Sequence, residues 1–345
     1  MTTFAGATSP FGVAITADGR WAFASLGSAL AVLQISAGRA PQLIRTIPLP
    51  EPATAGVALS PDGRMLLVAD GSAGAVVVSV PAAELGGPEA VLGTLATPGG
   101  HGGGAIEVAV SPDHRYAFVS LETADQIAVF NLAKALASGF GPDAYVGSIP
   151  TQIAPVGLAF SPDGRWLYST SEGQSRAAVT TGSGTLAVIS VSRAESDPGG
   201  SVVARVTAGC DPVRVITSAD GSVVWVTARG SNALLAFSAA RLRTKPGDAL
   251  LANVQVGEAP VGLALVRDGT MVVVADSDRF NSAGQHATLA VVNVADALAG
   301  KPALVGYLPA GGFPRDMAAG PGGATLLVAN YLSHQVEAVN VAALH

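Results

Sequence analysis

Ser60-Pro61-Asp62-Gly63-Arg64 recurs letter for letter at Ser161-Pro162-Asp163-Gly164-Arg165. Thr16-Ala17-Asp18-Gly19-Arg20, Ser111-Pro112-Asp113-His114-Arg115, Ser218-Ala219-Asp220-Gly221-Ser222 and Val266-Arg267-Asp268-Gly269-Thr270 are variants, and Gly320-Pro321-Gly322-Gly323-Ala324 stands where a seventh is due. Each lies between two short runs rich in Val, Ile, Leu and aromatics. Asp-Gly in that setting signals a hairpin, because the turn calls for positive φ and glycine supplies it without a Cβ clash. The glycine positions of these turns (19, 63, 114, 164, 221, 269 and 323) are 44 to 57 residues apart. A period of roughly 40–50 residues with about four strands per unit marks a propeller blade.

Working outward from the turn, the second unit reads as strand a over Gly56–Leu59, b over Met65–Ala69, c over Ala75–Val80 and d over Val91–Ala96. The fourth reads as Gly157–Phe160, Trp166–Thr170, Thr185–Val191 and Val202–Val206. In the b strands large residues recur at spacing two (Trp21 and Phe23, Tyr116 and Phe118, Trp166 and Tyr168), a strand period with one face on the neighbouring blade. The seventh unit has a, b and c strands and then stops, while Thr2–Pro10 aligns with the d-to-a passage Gly306–Pro314. The N-terminal strand is therefore expected to complete the last blade and close the ring. The fold class is all-β: one seven-bladed propeller of four-stranded antiparallel blades spanning 1–345. Short helical turns are expected between c and d at Ala82–Leu85, Ala133–Ser138, Ala239–Leu242 and Ala295–Ala299.

Composition agrees with a buried, turn-rich chain: 49% hydrophobic, 13% charged, 42 Gly and 22 Pro in 345 residues. No apolar run reaches the roughly 18 residues of a membrane span, so no membrane association is expected. Met1-Thr2-Thr3-Phe4 has no basic or apolar leader, which points to a cytoplasmic protein. The single cysteine, Cys210, rules out an intrachain disulfide and reads as a small packing residue. A net charge of −6 lacks the basic footprint that nucleic acid requires. The expected partner is a small-molecule ligand bound to a monomer.

The Asp-Gly turns share one face of the disc, so the opposite face takes the d–a crossings, the b–c loops and the start of each axial strand a. Residues at that start are Gly12, Gly56, Glu107, Gly157, Arg214, Gly262 and Asp316. Four glycines fit a crowded axis. The three charges need partners, since Asp, Glu and Arg are rarely buried alone. They form either an ion-pair network that fixes the ring's centre or the core of an anion and carbonyl site. Around them stand Arg315, the b-strand ends Asp70, Glu122, Glu172, Arg229, Asp276, Asn330 and Tyr331, and His101 before Glu107. The long loop 171–184 adds Arg176, and 277–287 adds Asp278, Arg279, Asn281 and His286.

Several motifs lead nowhere. His101-Gly102-Gly103-Gly104 lacks a Gly-x-Ser-x-Gly partner, and Gly99–Gly102 opens no helix after a strand. The five histidines show no metal-ligand spacing. No metal and no cofactor are expected. An oxygen-ligand cation site from Glu107, Asp316 and Asn330 would have to compete with the arginines beside it.

The Pro-Asp-Gly-Arg turns followed by Trp166-Leu167-Tyr168-Ser169-Thr170, Leu66-Leu67-Val68-Ala69-Asp70 or Leu326-Leu327-Val328-Ala329-Asn330 resemble the YVTN-type seven-bladed propeller repeats over essentially the whole chain. Residues 101–120 are similar to one repeat of the lactonase-like propellers, of the 6-phosphogluconolactonase and muconate cyclase type, with a lone His101 in place of the usual His-x-His. The resemblance implies lactone hydrolysis, lactonisation, isomerisation or cyclisation of an oxygenated or anionic metabolite at the channel mouth. Glu107 or His101 would handle protons, Arg214 and Arg229 would hold an enolate or carboxylate, and Asp316 would orient Arg214 or Arg315. Substrate binding falls to Arg229, Arg315, Glu122, Glu172, Arg176, Asp276, Arg279, Asn330 and Tyr331. The alternative is a non-catalytic propeller that binds a ligand or protein on the same face.

Overall fold

In the computed structural model, which describes residues 1–4, 8–36, 39–87, 89–173, 183–280 and 287–344, there are seven four-stranded sheets, six of which run in chain order from an inner to an outer strand. Six are built from consecutive strands, and the seventh joins Thr2–Thr3 to Gln335–Asn340, Thr325–Asn330 and Pro314–Ala319. Thr2 pairs with Val336 and Thr3 with Gln335, and the Phe4 N–H donates to the His334 carbonyl at 2.9 Å. Phe4, 5% exposed, packs with Val13 and Ala22 of blade one and Leu327 and Val336 of blade seven. The N-terminus thus closes the ring, as its alignment with 306–314 predicts.

Among the described residues the core divides into clusters between adjacent blades. Phe23, Leu30 and Val32 of blade one meet Val57, Leu66 and Val76 of blade two, and Tyr168, Leu186 and Val188 of blade four meet Val224 and Val226 of blade five. The b-strand aromatics face neighbouring blades, as their spacing predicts. No helix among the described residues is long and apolar enough to cross a membrane.

The repeated turn shows why its serine accompanies Asp-Gly. Ser60 Oγ donates to Asp62 Oδ1 (2.6 Å) and accepts from the Met65 N–H (2.9 Å), while Asp62 Oδ1 also accepts from the Arg64 N–H (3.1 Å). The Gly63 N–H closes a four-residue turn on the Ser60 carbonyl at 2.8 Å, with Gly63 at φ 69°. Glycine is therefore the last residue of the turn, where the left-handed backbone lets the strand resume. His114 takes the same position at φ 63°. Successive turns touch: space beyond Gly164 meets Pro112 of the preceding blade, and that beyond Gly221 meets Pro162.

The c–d helices span Val80–Leu85, Leu132–Ser138, Ala239–Thr244 and Val294–Leu298, each starting within two residues of its expected position. Ser79, Asn131, Ser238 and Asn293 cap them, accepting N–H bonds from the first turn. A further short helix, Val191–Ala194, begins at the residue where the sequence reading ended strand c, and its N-cap Ser190 makes no side-chain capping bond.

Candidate active site at the channel mouth

Five of the seven axial strands begin in a distortion that the repeat pattern does not reveal. In five blades a bulge interrupts the a–b pairing at its first residues, between Ala105 and Glu107, Pro155 and Leu158, Pro212 and Val215, Pro260 and Leu263, and Pro314 and Asp316. Just before each stands a residue in the left-handed region: Gly104, Ala154, Asp211, Ala259 and Phe313. Their carbonyls accept N–H bonds from Glu122, Glu172, Arg229, Ser277 and Tyr331, at 2.8–3.2 Å. The bulge turns two successive side chains toward the axis where an unbroken strand would offer one. The clamp fixes the residue beyond each b strand at the same mouth.

The two layers that result differ in character. The outer one consists of Phe11, Ala55, Ile106, Val156, Val213, Val261 and Arg315, six of them apolar, which pack with Phe313 and Tyr331 into a collar. One residue deeper come Gly12, Gly56, Glu107, Gly157, Arg214, Gly262 and Asp316. At four of these positions a Cβ would press on the next blade: Gly12 on the Val57 nitrogen at 2.9 Å, Gly157 on the Val213 carbonyl at 2.6 Å, Gly262 on the Arg315 carbonyl at 3.1 Å, and Gly56 on Glu107 Oε1 at 2.4 Å. Gly56 thereby makes the room that Glu107 fills.

The three charges meet. Arg214 Nη1 lies 2.6 Å from Glu107 Oε2, and its Nε 3.8 Å from Asp316 Oδ1. Asp316 Oδ2 accepts the Val13 N–H at 3.0 Å, which ties the trio to blade one. Side-chain exposures of 8%, 13% and 18% for Arg214, Glu107 and Asp316 leave little water around them. Burial therefore dominates the Glu107 carboxyl and raises it to about 7, against the pull of Arg214 and with a push from Asp316. The Asp316 carboxyl is also raised by burial, again opposed by Arg214.

Above the collar, on the side of blades seven, one, two and three, is a cavity of about 620 Å³. Phe11, Ala55, Ile106, Arg315 and Tyr331 are among its lining residues, together with Ser9, Ser28 and Thr54. The Arg315 guanidinium is stacked 3.6 Å above the Phe11 ring, with Phe313 and Tyr331 at 5.3 and 5.6 Å. The trio does not line this cavity, but Glu107 directly follows Ile106 and Asp316 directly follows Arg315.

The remaining candidates separate by register. Glu172 and Arg229, beyond the b strands, form a bidentate pair at 2.9 and 3.0 Å, so the Arg229 fork already holds a carboxylate of its own chain. Burial raises the Glu172 carboxyl, opposed by Arg229. Glu122 is buried beside this group, Tyr331 lines the cavity, and Arg279 stacks over Phe280 and Phe313 at 5.3 and 5.2 Å. Asp70, Asp276 and Asn330, one residue earlier, turn into their own blades: Asp70 accepts from the Ser72 and Gly74 N–H groups, Asp276 from Thr288 Oγ1, and Asn330 Nδ2 donates to Glu337. Strand alternation thus withdraws Asp276 and Asn330 from the mouth. His101 is exposed in its crossing, and no hydrogen bond or ion pair among the described residues joins it to the trio. Arg176, Asn281 and His286 lie outside the described residues. No group of three or more His, Cys, Asp or Glu among the described residues is placed to hold a metal ion.

Seven closed four-stranded blades with a charged centre and a cavity at one mouth define a seven-bladed β-propeller. The chain belongs to the lactonase seven-bladed β-propeller family, whose model matches residues 106–283, just over half its length. Glu107 and Arg214 fall within the matched segment, Arg315 and Asp316 beyond it. A solved structure titled Kuenenia stuttgartiensis hydrazine synthase superposes with a TM-score of 0.76 at 16% identity, covering 100% of this chain and 99% of that one, which establishes a shared fold. No curated protein matches the sequence.

Proposed function

We propose that the protein is a small-molecule enzyme with its active site at the channel mouth, where the cavity meets the charged trio one residue below it, and with Glu107 as its proton carrier. The supporting observation is a carboxyl, one residue below a cavity-lining position, held near neutrality by burial. At that value it can both accept and donate a proton at working pH. Membership of the lactonase family favours opening or closing of a lactone ring. In hydrolysis, water adds to the ring carbonyl as the Glu107 carboxylate takes its proton. The oxyanion forms in the field of Arg214 and Arg315, and the ring C–O bond breaks as the proton passes to the leaving oxygen. Lactonisation runs the same steps backwards, and isomerisation uses the same proton traffic. Asp316 serves by positioning Arg214.

A pH-stat assay against a panel of γ- and δ-lactones tests this. At least one should be turned over by the wild type, with kcat/KM lowered about 10²–10⁴-fold in Glu107→Gln. Intact turnover in that variant would remove Glu107 from the role. A second reading, a ligand-binding propeller without catalysis, draws on the mutual pairing of the trio and the collar between it and the cavity. It predicts ligand binding with no turnover of any member of the panel.

A further inference from the structure

Among the described residues Arg214, Arg229 and Arg315 stand at the mouth beside the loop residue Arg279, and the structure treats these three differently. Arg214 is held by Glu107 and Asp316, and Arg229 by Glu172. Arg315 has no carboxylate within ion-pair distance among the described residues, and that sets it apart, since a buried Nε without a hydrogen-bond partner is common to all three. Its charge is opposed by burial first, then by the nearby Arg214 and Arg279. Together these outweigh the support of Tyr331 and Glu122 and push the Arg315 guanidinium down to about 9. It stays charged at neutral pH, at a position where six other blades place an apolar residue. An isolated cation in such a place costs stability unless something anionic joins it.

The geometry says where that anion would sit. Phe11 covers one face of the guanidinium at 3.6 Å, which leaves the in-plane N–H edge as its binding surface, and Arg315 lines the 620 Å³ cavity. A planar fork presented edge-on matches a carboxylate, which takes two parallel N–H bonds. Ala55 and Ile106 supply apolar surface, and Ser9, Ser28, Thr54 and Tyr331 supply polar groups, so the cavity suits a compact body with a short carbon skeleton attached to the acid. We propose that Arg315 is the specificity residue of the mouth site and that the ligand is a small monocarboxylic acid, its carboxylate on the Arg315 edge and its carbon skeleton against Ala55 and Ile106. This rests on the reading of the cavity as the ligand site and adds the class of ligand.

The test is equilibrium binding of matched pairs, acetate with acetamide and benzoate with benzamide, measured by thermal shift and titration calorimetry. In the wild type at least one acid should bind about tenfold or more tighter than its amide, the range expected for a charge-assisted hydrogen bond. Arg315→Met should abolish the preference, and Arg315→Lys should keep part of it, having the charge without the fork. With no ligand present, Arg315→Met should melt at or above the wild-type temperature, because an unpaired cation has been removed. Equal binding within every pair, a preference surviving in Arg315→Met, or that variant melting several degrees below the wild type would each overturn the proposal. These acids undergo no turnover, so the outcome is independent of the lactone assay of Glu107.

Discussion

Asp276 is 1% exposed at the end of its b strand, and burial lifts its carboxyl to about 7, against hydrogen bonds from Thr288 and the Gly257 amide. An ordinary aspartate in the unfolded chain titrates about three units lower. The folded protein therefore holds this proton more tightly, so the group costs nothing below about pH 4 and progressively more as the pH rises to about 7. Asp276→Asn should lose less stability than the wild type between pH 5 and pH 8, by on the order of 1–4 kcal/mol, in denaturant titrations at the two pH values. Equal losses would mean that the carboxyl is not buried as described. At this scale the sequence shows which residues are charged at the wrong place but not which of them find each other. Glu107, Arg214 and Asp316 stood out because they break a run of glycines. The difference between a paired Arg229 and an unpaired Arg315 depends on Glu172 and Phe11, which come from other blades and cannot be assigned by spacing.

Blade-to-blade stitching is the element that the repeat pattern hides. Near the end of strand b, Ser25, Ser120, Thr170 and Thr227 are buried and each donates to a carbonyl of the next blade: Ala55, Val156, Val213 and Val261, at 2.5–2.8 Å. Ser25, Thr170 and Thr227 also accept the N–H of Gly12, Gly157 and Arg214 in their own strand a. Blades two, six and seven have Ala69, Ala275 and Ala329 there, so the position reads in sequence as a small residue and no more. Thr227→Val keeps the shape and leaves two buried backbone groups unsatisfied. It should lower stability by about 1–3 kcal/mol in chemical denaturation, more than the same change at an exposed threonine. The bulges and left-handed residues were hidden for a related reason. Of the five positions before strand a, Gly104 and Asp211 have residue types that tolerate positive φ, while Ala154, Ala259 and Phe313 are held there by the tertiary clamp.

Over the whole molecule, ring closure rests on a short N-terminal strand and on Phe4. Deleting residues 1–8 should open the edge of Gln335–Asn340 and expose the joint between blades seven and one. Burial of one such phenylalanine is worth about 1.5–3 kcal/mol, so the melting temperature should fall by several degrees. An unchanged melting curve would contradict closure by the N-terminus. Blade number, register and this closure were legible because a repeat states them seven times. The cavity was not, since it is assembled from blades seven, one, two and three and has no local signature. We place the proposed chemistry on the face opposite the Asp-Gly turns, at that cavity. A crystal structure of the protein soaked with the lactone it turns over, or with the monocarboxylate it binds tightest, tests this most directly. The account predicts ligand density between Phe11, Ile106, Arg315 and Tyr331, with oxygen atoms on the Arg315 edge. Density on the Asp-Gly face with the mouth cavity empty would contradict it.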